Sequence, residues 1–126
     1  MWCPDIDDIL VFHSKLVART GGIDGVRSLP LIESALYRFH SSFGGEDVYP
    51  SIEEKAAAVA CGLIQNHGFL DGNKRIGTAI FLLILRQNGV LLRYTQQELI
   101  EMILSIACSK SDIPELVAWI HVHRIS

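Results

Sequence analysis

Cysteine is scarce in this sequence, and its few cysteines are not arranged as metal ligands. The chain has three cysteines, Cys3, Cys61 and Cys108. Their number is odd, and they lack the short paired spacing of a zinc site. This pattern argues against a disulfide framework and is typical of a reducing compartment. Excess charge of one sign is also scarce: the net charge is -3 and no basic stripe occurs, which argues against nucleic acid as a partner.

Long hydrophobic runs are missing as well. The longest apolar run is shorter than the roughly 20 residues that a helix needs to span a bilayer, and no secretory signal pattern opens the chain. We therefore expect a cytoplasmic protein with no membrane partner. Repeats, linkers and low-complexity tracts are also absent, so residues 1–126 are expected to form a single domain.

Helical periodicity dominates what is present. A hydrophobic content of 49% and a mean hydropathy of +0.29 predict one or two helices buried on every side. We predict an all-α fold, a compact bundle of about six helices, with the third and fourth as a central pair. On the first helix, His13 lies on the apolar face, where a core histidine is favoured over a pocket-lining one. The pattern places the first helix over 6–17 and starts the second near Pro30. The other four helices are predicted to start after Ser51, residue 72, Thr95 and Asp112.

One loop between the third and fourth helices concentrates chemically active side chains. It reads His67-Gly68-Phe69-Leu70-Asp71-Gly72-Asn73-Lys74-Arg75 and leads into an almost wholly apolar helix. Free N–H groups and the helix dipole favour an anion at a helix N-terminus. Cations on the first turn oppose that dipole, so Lys74 and Arg75 make sense there if an anion sits between them. The loop therefore predicts a phosphate-handling site rather than an ordinary polar turn.

His67 is the candidate general base, because a neutral imidazole accepts a proton from an attacking hydroxyl near neutral pH. The alternative is a histidine that caps the last carbonyl groups of the third helix. Asp71 is the candidate metal ligand, since Mg²⁺ in nucleotide sites uses one or two carboxylates; a role near the helix N-cap is compatible with this. Gly72 allows a tight turn and close approach of a ligand. The remaining candidates are Asn73, Lys74 and Arg75 for phosphate and Phe69 as a buried anchor.

The loop resembles the signature of the Fic/Doc family, and in particular its death-on-curing (Doc) branch, in the residues His67-x-Phe69-x-Asp71-Gly72-Asn73-Lys74-Arg75. The resemblance covers most of the chain. It extends to Gly21-Gly22-x-x-Gly25-Val26-Arg27, to residues 31–36 and to Leu85-Arg86-Gln87-Asn88-Gly89.

This resemblance implies a compact helical fold and transfer of a phosphate-containing group from a nucleotide to a protein hydroxyl. It implies His67 as base, Asp71 for the metal, and residues 73–75 for phosphates. AMP-transferring members carry Gly where Lys74 stands and a second Arg where Thr78 stands. The departure at both positions resembles Doc-type enzymes, toxins that use ATP and Mg²⁺ to move the γ-phosphate to a threonine of elongation factor Tu.

Two alternatives stay open beside the phosphotransferase: a Fic-type nucleotidyl (AMP) transferase and a non-catalytic partner-binding domain. The residues do not specify the nucleotide base or the oligomeric state.

The segment 39–50 corresponds to the family's target-docking flap, a short hairpin in which Val48 and Tyr49 supply extended backbone; an ordinary surface loop is an equal alternative. Residues 42–47 only loosely resemble the family's inhibitory helix, and their two glycines disfavour a helix. We therefore expect no inhibitory helix here, and the resemblance implies a separate antitoxin protein as partner.

Overall fold

The structure of the protein is a computed structural model, in which residues 1–125 are described. Within them the prediction of an all-α bundle is confirmed: the only sheet is a two-stranded hairpin, β1 (Ser42–Phe43) with β2 (Glu46–Asp47), which follows a short 3₁₀ helix (Arg38–His40). No helix of residues 1–125 is long and apolar enough to cross a membrane. The six α-helices are α1 (Ile6–Thr20), α2 (Leu29–Tyr37), α3 (Ile52–Gln65), α4 (Asn73–Gln87), α5 (Gln96–Ala107) and α6 (Ile113–His123).

Polar side chains at the helix N-termini determine where most helices begin, as the sequence predicted. Thr95 and Asp112 each form a reciprocal capping box with a glutamate three residues on. Ser51 accepts from the Glu54 amide, but the Glu54 carboxylate turns to the Ser51 hydroxyl, so that box is only half formed. At α1 an unpredicted box joins Asp5 and Asp8.

The most enclosed helix is α3, not α4. Nearly every residue of α3 from 53 to 64 is buried, because α2, α4, α5 and α6 all pack around it. The sequence predicted one or two helices buried on every side. Helix α3 is such a helix, whereas α4 buries one face and leaves Lys74 and Ala79 exposed. Both residues, together with Arg75 and Thr78, line a surface groove beside α1 and α5. One end of α4 therefore opens to solvent, where the signature loop lies.

Close packing around α3 depends on small residues. A Cβ on Gly77 of α4 would lie 2.6 Å from Ile64 Cγ1, and one on Gly62 would lie 2.8 Å from Ala35 Cβ. Both distances are far below van der Waals contact, so no side chain fits at either position. The tight α3–α4 contact places the end of α3 beside the start of α4.

Of the two alternatives for residues 39–50, the short hairpin is present, with its strands at Ser42–Phe43 and Glu46–Asp47; a target-docking role of this segment stays a prediction. Gly44 and Gly45 form the turn with φ of 61° and 81°, the left-handed pair that a two-residue hairpin requires. This turn sets the register, so Val48 and Tyr49 fall at a bend after β2 and not in extended backbone. The expectation that residues 42–47 form no inhibitory helix is confirmed.

Candidate active site

The signature loop joins α3 to α4 and borders an open cavity of about 510 Å³. Of the predicted site residues, His67, Asp71, Gly72, Asn73, Lys74 and Arg75 all line it. Phe69 instead lies in the core with 2% exposure, as its anchor role required. Val48 and Tyr49 do not line this cavity. The remaining walls are apolar and come from Ile64, Leu70 and Ala107.

His67 follows the end of α3 with a φ of 52°, a backbone conformation that costs a residue with a Cβ about 1–3 kcal/mol. Arg27 helps to hold it there, because its Nε donates a 2.7 Å hydrogen bond to the His67 carbonyl. The His67 side chain is exposed and forms no hydrogen bond with residues 1–125. The ring therefore does not cap α3, and its nitrogens are accessible from the cavity.

Asp71 is held as a carboxylate by main-chain donors. Its Oδ2 accepts from the Ile23 amide at 3.2 Å, and its Oδ1 accepts from the Gly72 amide at 2.8 Å. These bonds, first that from Ile23 and then that from Gly72, lower the pKa of Asp71 below its ordinary value, and the charges of Arg75 and His13 add to the effect. The Asp71 side chain is about half exposed, at 44%, and its Oδ1 also lies 3.6 Å from Arg75 Nη2.

The first turn of α4 offers uncapped amide groups. Gly72 precedes the helix and no side chain caps it. The amides of residues 73–75 have no acceptor in the described chain, whereas the Ile76 amide is the first to bond back into the turn, to Gly72. Lys74 is exposed beside them. Partial positive charge and a free ammonium group thus meet at one end of the cavity.

Asn73 and Arg75 also have structural roles. Asn73 bonds the main chain of Phe69 twice, accepting from its amide at 3.0 Å and donating to its carbonyl at 3.1 Å. Arg75 Nη1 donates to Thr20 Oγ1 at 2.5 Å and to the Gly21 carbonyl at 2.6 Å. A phosphate role for either side chain stays a prediction and would use the donors that these bonds leave over.

Residues 21–28, between α1 and α2, run alongside the loop and brace it. Gly25 accepts from the Leu70 amide at 3.1 Å, and the amides of Arg27 and Ser28 both donate to the Gly68 carbonyl. The chain approaches closely: a Cβ on Gly22 would lie 2.6 Å from Asp71 Oδ2. Sequence reasoning missed this brace, although its glycine spacing was part of the resemblance.

A second brace comes from α1. His13 is 1% exposed, its Nε2 lies 2.7 Å from the Asp71 main-chain oxygen, and its ring stacks on Phe69. The expectation of a satisfied core histidine is thus confirmed. The sequence did not show that the partner is the loop itself, because a pairing over 58 positions leaves no local pattern.

The site residues could hold a metal ion only if a bound ligand supplied further donor atoms. Residues 1–125 contain no cluster of three or more His, Cys, Asp or Glu side chains that could hold a metal. Asp71 alone provides an anionic oxygen with spare lone pairs next to the uncapped helix end. This donor set suits Mg²⁺, which commonly takes one or two carboxylates and completes its shell with phosphate oxygens and water.

The fold and the site together define a helical domain in which a loop with unpaired helix amides and an accessible histidine border one cavity. A sequence profile described as the Fic/DOC family matches residues 3–85, most of the chain and the whole of the loop. The chain belongs to the Fic/DOC family. It is also similar to a protein named Toxin Doc from Mycolicibacterium smegmatis (strain ATCC 700084 / mc(2)155), with 40% identity over 86 residues. That alignment covers 68% of this chain and 64% of the relative's length.

Proposed function

We propose that this protein is a Doc-type toxin that acts as a protein phosphotransferase, moving the γ-phosphate of ATP to a Ser or Thr hydroxyl. The observation that carries the proposal is that His67, Asp71, Lys74 and the uncapped first turn of α4 share one cavity. A helix N-terminus with free amides favours a multiply charged anion. An imidazole at the same cavity is suited to removing a proton from an attacking hydroxyl.

The transfer forms one bond and breaks one. The target oxygen bonds to the γ-phosphorus, the bond from that phosphorus to the β,γ-bridging oxygen breaks, and ADP leaves. His67 takes the hydroxyl proton. Lys74, Arg75 and the α4 amides stabilise the charge on the transferring oxygens, which is the main catalytic contribution in phosphoryl transfer. Asp71 would hold Mg²⁺, which neutralises phosphate charge when it is bound with the nucleotide.

The choice of the γ-phosphate is supported by two positions of α4. Lys74 adds a cation at the loop. Thr78 carries no charge, and its hydroxyl donates a 2.7 Å hydrogen bond to the Lys74 carbonyl within the helix. By the resemblance, AMP-transferring members have an arginine at position 78 that orients ATP for attack at the α-phosphate. Without that cation, the nucleotidyl transferase alternative lacks the contact on which its orientation of ATP depends.

The target and the partner follow from the resemblance and from the name of the relative. We propose elongation factor Tu as the target, docked along the exposed hairpin, where Phe43 is 86% exposed. The relative's name, Toxin Doc, supports a toxin role and with it a separate antitoxin protein. Because ATP and elongation factor Tu are cytoplasmic, the proposal places the protein in the cytoplasm.

Position-specific labelling of ATP tests the proposal. Purified protein, Mg²⁺ and elongation factor Tu are incubated with ATP labelled at either the γ- or the α-phosphate, and the modified residue is identified by mass spectrometry. We expect label from the γ position only, on a Ser or Thr. Label from the α position only would establish nucleotidyl transfer instead. Neither label, together with stable binding of a small partner protein, would favour the non-catalytic domain.

A further inference from the structure

His13 belongs to α1 and contacts the signature loop at two points. Its Nε2 lies 2.7 Å from the main-chain oxygen of Asp71. Its ring stacks on Phe69, with centroids 3.8 Å apart and 15° between the planes. Because a carbonyl oxygen only accepts, Nε2 must carry a proton and donate it. With 1% of the residue exposed, water cannot replace this bond without a rearrangement.

The bond engages the carbonyl just before the first turn of α4, next to Gly72, whose left-handed φ of 78° starts the helix. If α4 began one residue earlier, the Asp71 carbonyl would accept from the Arg75 amide, because helical bonds join the carbonyl of residue i to the amide of residue i+4. His13 holds that carbonyl turned toward α1, and the first helical bond is instead from Ile76 to Gly72. The Arg75 amide, at the third position of the helix, is without an acceptor in the described chain and is available to an anion.

The Asp71 carboxylate is attached to the residue whose carbonyl His13 holds. It accepts from the amides of Ile23 and Gly72, so a shift of the Asp71 main chain would move it relative to these donors. The other ring nitrogen, Nδ1, lies 3.7 Å from Asp24 Oδ1, beyond hydrogen-bond distance. Among residues 1–125, His13 therefore makes one polar contact within hydrogen-bond distance, the one to the loop.

We propose that His13 is a positioning residue of the active site: its buried Nε2–H keeps the Asp71 carboxylate and the Arg75 amide directed at the cavity that receives the nucleotide phosphates. The proposal rests on the proposed function for the identity of the ligand. His13 does not touch the reacting atoms and acts only through Asp71 and the first turn of α4.

Two substitutions separate the hydrogen bond from packing. His13→Leu keeps an apolar side chain of similar reach and removes the donor, whereas His13→Gln places an amide donor close to the position of Nε2. We expect His13→Leu to weaken Mg²⁺-dependent ATP binding, measured by calorimetry, about 10–100-fold, the usual effect of removing a partner that orients a metal ligand. His13→Gln is expected to restore most of that affinity.

A readout independent of nucleotide follows the Arg75 amide. Hydrogen exchange by NMR should show fast exchange at Arg75 in the unmodified protein, and slower exchange in His13→Leu if the freed Asp71 carbonyl accepts from it. Thermal unfolding of all three proteins checks that they fold. If His13→Leu does not fold, the His13→Gln protein and the exchange rate in the unmodified protein still decide the matter.

Several outcomes overturn the inference. The first is that His13→Leu and the unmodified protein bind ATP with equal affinity. The second is that a folded His13→Gln protein binds ATP no better than His13→Leu. The third is that the Arg75 amide of the unmodified protein is strongly protected from exchange. Failure of the proposed function looks different: ATP binds and responds to His13, but no γ-label reaches a protein. An unmodified protein that does not bind ATP with Mg²⁺ would overturn both.

Discussion

The signature loop and the hairpin are both exposed connections, yet the fold holds them very differently. The loop is bound from α1, from residues 21–28 and by its own Asn73. The hairpin is tied to the helices by one buried side chain, Lys55, which donates to the Phe39 carbonyl at 3.1 Å and to Asp47 at 3.0 Å.

The difference matches what each region is proposed to do. Phosphoryl transfer requires donors and a base at fixed positions before the substrate arrives, since preorganisation supplies much of the rate enhancement. A surface that recognises a protein gains from being exposed and adaptable. Rigidity is therefore expected to be essential at the loop and dispensable at the hairpin.

The largest contrast should appear when each region loses an exposed side chain. His67→Ala is expected to lower the transfer rate about 10²–10⁴-fold, the usual contribution of a general base, with little change in Tm because the side chain is exposed. Phe43→Ala in the hairpin should raise KM for the protein target and leave ATP affinity unchanged. Near-full activity of His67→Ala would remove the base from the mechanism.

The same substitution at two glycines makes the comparison quantitative. In the brace, Gly22→Ala adds a Cβ 2.6 Å from Asp71 Oδ2 at a φ of +115°, so Asp71 must move. In the hairpin, Gly44→Ala meets nothing within 4 Å and is strained only by its φ of +61°, a cost of about 1–2 kcal/mol. We expect Gly22→Ala to lower Mg²⁺-dependent ATP affinity at least about tenfold, in keeping with the loss of an oriented ligand.

Calorimetry with ATP and thermal unfolding measure both glycine variants, and Gly21→Ala is the matched control. Gly21 also has a positive φ, +87°, and an added Cβ there meets nothing within 4 Å. Equal ATP affinity for Gly21→Ala and Gly22→Ala would show that contact with Asp71 does not matter.

Loosening the hairpin tests the comparison from the other side. Lys55→Met keeps the stem but removes the ammonium group and leaves the Phe39 carbonyl unpaired. The expected loss of stability is about 1.5–3 kcal/mol, typical of a hydrogen bond to a charged group, measured by chemical denaturation. Amide exchange should increase at residues 42–47 and stay constant at residues 67–75. Asp47→Asn retains an acceptor for Lys55 and should lose less stability than Lys55→Met. If amide exchange at residues 67–75 also increased in Lys55→Met, the two regions would be coupled.

The smallest effect concerns pH and lies outside both regions, between α5 and α6. His123 donates to Glu98 at 2.8 Å, which lowers the pKa of Glu98 from 4.5 to about 2 and raises that of His123 above 6.5. The Glu98 contribution is present above pH 4.5 and is lost as the pH falls toward about 2. The His123 contribution is present below pH 6.5 and is lost as the pH rises through its raised pKa.

Stability from this pair should therefore be greatest between pH 4.5 and 6.5. Tm measured at pH 6 and pH 9 should fall slightly at the higher value, by an amount limited by the solvent exposure of Glu98. His123→Gln should remove that dependence. If the Tm of His123→Gln still depended on pH, the dependence would have to come from other titratable groups, such as those around the loop.

The helix starts were predictable because capping is local: Thr95 and Asp112 act on amides two or three residues away. A hairpin was one of two alternatives for residues 39–50, since Gly44-Gly45 favours a turn, but the sequence did not show which residues pair. The sequence also did not show which helix is buried on every side, because an apolar sequence does not reveal how many neighbours a helix has.

The sequence by itself determined which polar side chains meet at the cavity, since His67, Asp71 and Lys74 lie within eight consecutive residues and a turn followed by a helix brings them together. Only the tertiary structure decided how that loop is held. Its braces, His13 and Gly22, come from 58 and 49 positions away from Asp71, and contacts over such separations arise from the packing of α1 against α4, which no local pattern encodes.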